Sequence, residues 1–379
     1  MKKSKLWQSL GLAGLASSAY CCWREHQRLQ QGKQKAQQFD VVYWQKQLPA
    51  TVVRLSQVEF EQDMTELALP YLAEHEQKGV VSLADVSLHY IFYHCQQPLA
   101  TVVIVHGFNE IKEKYQELVY YWLQQRIQVL VYDARGHGQS REPHQSTKID
   151  IQRFDTYVED LAMLIRQVVQ PDWADLPLTV YGHSMGGAVA TRLAQLYPDL
   201  LDGLIISAPM LAINTGNIPL GAARWLSRLS LLVGKGAAYA PRMGEFDPER
   251  HTVYPQENRW AFEWERGHYF HQQLLRLYPQ PTWGGSWNWL ATSLATTHQL
   301  LKSESIQRIQ VPVLIFQGEF DTHVLAKGAY RLAQQLDACE LCFVPQVKHE
   351  MYLESDLFVQ AYVAKMSAFI LEIKKGKHQ

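Results

Sequence analysis

The segment Thr179-Val180-Tyr181-Gly182-His183-Ser184-Met185-Gly186-Gly187 sets a serine in a G-x-S-x-G frame, between a short apolar run and a stretch of small residues. A sharp strand-to-helix elbow needs that spacing. The glycines leave room for neighbouring backbone, and Ser184 is presented on the corner as a nucleophile. An unassisted hydroxyl is a weak nucleophile at neutral pH, so it needs a histidine base and an orienting acid; with a G-x-S-x-G elbow these partners come later in the chain, the acid before the histidine. Asp321 comes just after the apolar run 313–316, through Gln317-Gly318-Glu319-Phe320, where the glycine permits a tight turn. Glu319 is the competing acid, nearer the strand end. Only His323, His349 and His378 lie beyond Asp321. His323 is two residues away, too close to be oriented easily by a carboxylate on a separate loop. His378 sits in the terminal polar tail. The base is therefore expected at His349.

A tetrahedral intermediate also needs donors for its oxyanion. The turn His106-Gly107-Phe108 follows the apolar run 101–105, and the amides of Phe108 and Met185 are the expected pair, with the His106 side chain structural. The run Asp133-Ala134-Arg135-Gly136-His137-Gly138-Gln139-Ser140 lacks the spacing of a phosphate loop, and reads as a rigid turn supporting the other two.

These groups need a scaffold that gathers strand ends. Apolar runs at 101–105, 129–132, 178–181, 204–207, 311–316 and 341–345 alternate with helical patterns at 115–125, 154–169 and 188–196. Continuous apolar strands alternating with helices imply a buried, mostly parallel sheet covered on both faces, so the fold class is α/β. The polar and glycine residues fall at the carboxyl ends of the strands, where such sheets carry their sites. Between 211 and 303 the rhythm lapses into helix and loop, and six of the eleven tryptophans fall there: Trp225, Trp260, Trp264, Trp283, Trp287 and Trp289. That stretch is expected to form a cap roofing the serine, with an amphipathic wall suited to an acyl chain. Arg242, Arg250, Arg259, Arg266 and Lys302 are its candidates for meeting a phosphate headgroup. The expected organisation is an amino-terminal hydrophobic segment (1–30), a helical extension (31–79), a core (80–210 and 304–373) and the cap (211–303).

Composition excludes several classes. Of 379 residues, 47% are hydrophobic, and 36 Lys plus Arg face 37 Asp plus Glu. That suffices for a large core and supplies no basic field for nucleic acid. Five cysteines exclude a disulfide-dense scaffold, and Cys339-Glu340-Leu341-Cys342 stands alone in a probable strand, where its thiols face opposite ways. No histidine spacing points to a metal, and no cofactor motif is present. Lys2, Lys3 and Lys5 precede an uncharged stretch from 6 to 23, the pattern of an anchor or signal-like segment, so association with a membrane surface is expected.

Taken together, HGF, DARGHGQS, GHSMGG, the G-x-x-D acid and the late K-H-E histidine resemble the monoacylglycerol lipase and bacterial lysophospholipase family of α/β-hydrolases. The likeness runs from about residue 80 to 370. The stretch from Asn258-Arg259-Trp260 to Gly284-Gly285-Ser286-Trp287 is similar to the cap of the bacterial branch. The resemblance implies a triad of Ser184, Asp321 and His349, oxyanion amides from Phe108 and Met185, and a lipid ester substrate. Lysophospholipid is expected first and monoacylglycerol second. Acyl transfer to a second lipid and a non-catalytic membrane adaptor are the competing readings.

Overall fold

The computed structural model describes residues 23, 25–142 and 146–375. Among the described residues nine strands form one sheet: β1 (Ala36–Gln38), β2 (Glu76–Ser82), β3 (Ser87–Tyr93), β4 (Ala100–Val105), β5 (Ile127–Tyr132), β6 (Leu178–His183), β7 (Gly203–Ser207), β8 (Val313–Gly318) and β9 (Cys339–Val344). Their order across the sheet is β1-β9-β8-β7-β6-β4-β5-β3-β2. All neighbours are parallel except β3 against β5 and β2 against β3. Every residue of β4, β5, β6, β7 and β8 is buried, which is why these strands read as unbroken apolar runs rather than alternating ones.

The helices that matter for the site are α1 (Gln116–Leu123), α2 (Asp155–Leu164), α3 (Met185–Leu196), α4 (Leu220–Leu232), α5 (Glu265–Leu277), α6 (Trp287–Leu300), α7 (Lys327–Gln335) and α8 (Asp356–Glu372). α3 packs along β6 and β7, α1 on β5, and α7 on β8 and β9. The long connection from β7 to β8 carries α4, α5 and α6, all helical where the strand rhythm lapses.

The segment 31–79 differs from its helical expectation. It contributes both edges of the sheet: β1 pairs with β9 at one side, and β2 lies outside β3 at the other. Ala36-Gln37-Gln38 has no apolar pattern to announce a strand, and Phe39 does the anchoring instead, edge-on to Phe316 and Phe358 at 5.6 and 5.9 Å. Leu69–His75 is a short helix with Leu72 turned inward. The uncharged stretch 6–23 lies outside the described residues apart from Trp23, as does His378. Among the described residues no helix is long and apolar enough to cross a membrane.

Candidate active site

Ser184 stands between β6 and α3 with φ 52° and ψ −114°, a conformation an L-residue adopts only when its surroundings enforce it. The enforcement is visible on both sides of the turn. The Ser184 amide donates to Ser207 O at 3.0 Å, and its carbonyl accepts from the Met210 amide at 2.8 Å. A Cβ at Gly186 would lie 2.0 Å from Val105 O, so only glycine lets the start of α3 rest against the end of β4.

His349 Nε2 lies 3.0 Å from Ser184 Oγ, and its Nδ1 lies 2.7 Å from Asp321 Oδ2. The other carboxylate oxygen, Oδ1, accepts the amides of His323 and Val324 at 2.8 and 3.0 Å. Burial by itself would raise the Asp321 carboxyl. Its bond to His349, the charge of that ring and the two amides outweigh burial, so it is held below the ordinary carboxylate range. Glu319 turns away and accepts the Gln346 amide at 3.0 Å. His323 does not bond the acid through its ring; the ring lies 4.6 Å from that of His349. Burial first, and then the neighbouring His349, push His323 down to about 4.

The expected oxyanion residues come from neighbouring strand ends, since Val105 pairs with Gly182. The Met185 amide opens α3 and therefore has no carbonyl of its own helix to meet. The turn bearing Phe108 is held twice. Glu110 Oε2 accepts the Gly107 amide at 2.5 Å. His106 Nδ1 meets Gly107 O at 2.7 Å while its Nε2 accepts the Ala134 amide at 2.8 Å, a structural role that fixes its tautomer. The DARGHGQS turn is clamped by Asp133, which accepts the Lys112 amide, the Lys112 ammonium and the Gln139 amide.

Beneath these groups lies a buried network that no spacing in the sequence announces. Glu110 accepts the hydroxyls of Tyr115 and Tyr352, both at 2.6 Å, and Lys114 bridges Glu110 and Glu350 at 3.0 and 2.8 Å. Burial would raise Glu110, but Lys114, His183 and the two hydroxyls hold it well below the usual range. Glu350 is left raised by burial. His183 is pushed down to about 3 by burial, and its ring sits 4.9 Å from that of His349.

Above the site, Trp289 of α6 packs on the Phe108 ring at 4.1 Å. Arg266 is not a headgroup contact. Its side chain is fully buried and paired with Glu117 at 2.9 Å and Asp356 at 2.6 Å, an ion pair invisible without the fold. Cys339 and Cys342 are free thiols on β9.

Residues 96–356 match the Hydrolase_4 family model, described as Serine aminopeptidase, S33. Lysophospholipase L2 of Escherichia coli (strain K12) is 32% identical over 145 residues, which are 37% of this chain and 41% of that protein. The chain thus aligns with about two fifths of the length of that relative. Probable lysophospholipase L2 of Haemophilus influenzae is 26% identical over 294 residues, 76% of this chain and 90% of that one. Among solved structures, a soluble variant of monoglyceride lipase from Saccharomyces cerevisiae superimposes with a TM-score of 0.62 at 17% identity, covering 78% of this chain and 94% of its own. A thermostable carboxyl esterase from Bacillus coagulans gives 0.64 at 20% identity, covering 78% and 99%. These two share the fold. Strand order, elbow and family match converge: the chain belongs to the Hydrolase_4 (Serine aminopeptidase, S33) family, on the α/β-hydrolase fold.

Proposed function

We propose that this chain is a serine hydrolase that releases a fatty acid from a lipid ester, with a lysophospholipid as substrate. The observation that carries the chemistry is the relay from Ser184 through His349 to Asp321, at 3.0 and 2.7 Å. In this reading His349 Nε2 takes the Ser184 proton as Oγ attacks the ester carbonyl. The amides of Phe108 and Met185 receive the charge that develops on oxygen. His349, now cationic and steadied by Asp321, protonates the leaving alcohol. Water then repeats the sequence on the acyl-serine. No metal or cofactor enters the scheme.

The headgroup assignment leans on the names of the E. coli and H. influenzae relatives. A lipid surface is part of the same proposal. It is supported by the uncharged stretch 6–23 and by α4 with the residue after it, where Trp225, Leu232 and Val233 are 63%, 84% and 60% exposed.

The test measures fatty-acid release from lysophosphatidylcholine and from monoacylglycerol side by side, with wild type and Ser184→Ala. Serine-dependent release from the phospholipid is expected. Release from monoacylglycerol alone would move the substrate and keep the mechanism, and turnover surviving in Ser184→Ala would end the mechanism. Liposome flotation with and without residues 1–22 checks the surface: loss of flotation on deletion is expected, and unchanged flotation would shift the contact to α4.

A further inference from the structure

We propose that Asp321, His323 and His349 form a metal site through which a transition-metal ion of the Zn²⁺ type reversibly switches the enzyme off. The inference rests on the assignment of His349 as the base.

The three side chains each bring one ligand atom to within 4.8 Å of the other two. Asp321 and His323 sit on the loop after β8, and His349 on the loop after β9. The His323 and His349 rings are 4.6 Å apart and tilted by 32°. Two imidazoles and a carboxylate are a donor set that suits zinc, nickel and copper, and three protein ligands leave a further position open for water or a second anion.

A second observation concerns His323 alone. Its Nδ1 is buried with no hydrogen-bond partner among the described residues. Buried ring nitrogens are normally satisfied, and those that are not call for an explanation. The contribution of residue 323 to the catalytic frame is its backbone amide, which bonds Asp321 at 2.8 Å. Nothing in that frame needs an imidazole there, and a metal ion would give the orphaned nitrogen its partner.

Glu110, His183 and Glu350 also bring one ligand atom each to within 4.8 Å of one another. There the Lys114 ammonium already lies between the two carboxylates, at 3.0 and 2.8 Å. A metal would have to displace a buried cation. Among the described residues no lysine or arginine is bonded to the Asp321 carboxylate, whose oxygens hold His349 and two amides.

Occupation would be inhibitory at either ring nitrogen of His349. Coordination at Nε2 uses the lone pair that must accept the Ser184 proton. Coordination at Nδ1 replaces the contact with Asp321 that orients the ring. Removing the metal restores the base unchanged.

Two measurements on the full chain decide the matter. The first is hydrolysis of a soluble short-chain ester in rising ZnCl₂, with and without a chelator, for wild type and His323→Leu. The expected result is chelator-reversible inhibition of wild type. In His323→Leu the half-inhibitory concentration, taken relative to that variant's own metal-free rate, rises at least about tenfold. Equal sensitivity of the two proteins would overturn the site. The second is titration of Ser184→Ala with Co²⁺, read by the visible absorption of a low-coordinate complex, against Ser184→Ala/His323→Leu. A band present in the first and lost in the second is expected, and its absence from the first would also overturn the site. Because this readout needs no turnover, it separates failure of the metal site from failure of the hydrolase reading. If leucine at 323 disturbs folding, judged by circular dichroism, His323→Gln replaces it in both measurements.

Discussion

Replacing Arg266 by methionine keeps the apolar stem and removes the cation that pairs with Glu117 and Asp356. The guanidinium is fully buried; it bonds Glu117 through two nitrogens at 2.9 Å, reaches Asp356 at 2.6 Å and the Glu354 carbonyl at 3.1 Å. It also lies 4.8 Å from the Phe60 ring centre. The Glu117 side chain is only 3% exposed, so its carboxylate would be left uncompensated in the interior. Breaking one side of a buried pair costs about 3–5 kcal/mol, far more than an exposed pair would. Burial raises Glu117 even with Arg266 beside it. In the variant the carboxyl would escape part of the penalty by keeping its proton, since the folded state then binds that proton more tightly than the unfolded state does. The loss should therefore be greatest at pH 8 and smaller at pH 5. Adding Glu117→Gln removes the stranded charge and should recover about 2 kcal/mol, a coupling that a double-mutant cycle isolates. The assay is urea unfolding of wild type, both single variants and the double variant at the two pH values. A single-variant cost below about 1 kcal/mol, or strict additivity, would refute the picture of a desolvated ion pair.

Asp321→Asn should lower turnover on a short-chain ester by about 10⁴, as loss of the orienting acid does in serine triads, whereas Glu319→Gln should leave it near wild type because that carboxylate only holds the Gln346 amide. Steady-state kinetics on the pair checks the choice of acid. In Gly186→Ala the new methyl would meet Val105 O at 2.0 Å and His106 O at 2.6 Å, backbone that shifts only with β4. Thermal unfolding should show a loss of about 2–3 kcal/mol, and turnover should fall with the displaced turn. Glu354, buried against the amides of Phe262 and Lys348, is raised to about 7 from 4.5, with burial the main cause. Its contribution is full below pH 4.5 and is lost as pH rises through about 7, on the order of 3 kcal/mol across that range. Urea midpoints against pH for wild type and Glu354→Gln should differ in that direction, with the variant flatter.

The parts legible in the sequence are those where local pattern and tertiary role coincide. Gly182, Ser184 and Gly186 lie within five residues of one another, so the elbow is written in one short segment even though the backbone that Gly186 meets, at Val105 and His106, lies far away in the chain. β4 to β8 are buried on both faces and therefore announce themselves as apolar runs. β1 does not, because Ala36, Gln37 and Gln38 pair through their backbone, and a three-residue edge strand needs no side-chain pattern. Arg266 and Glu117 are 149 positions apart, and a buried arginine looks like a surface arginine until its partner is in place. Glu110, Lys114 and Glu350 were hidden for the same reason: charged residues near a site carry no mark of being buried together. Position in the chain made His323 a poor candidate for the base, and the ring does not bond Asp321, yet it lies against His349.

The pairing of Ala36 with Leu341 has a consequence for how the protein is made. The first strand of the sheet docks on the last, so it has no partner until nearly the whole chain has been synthesised. At roughly 5–20 residues per second, that wait is on the order of 15–60 s. The helix at 25–35 waits with it, since Lys35 bonds the carbonyls of Ala333 and Leu336 and Glu25 pairs with Arg331. Throughout that interval the uncharged stretch beginning at residue 6 precedes a segment with no docked place of its own.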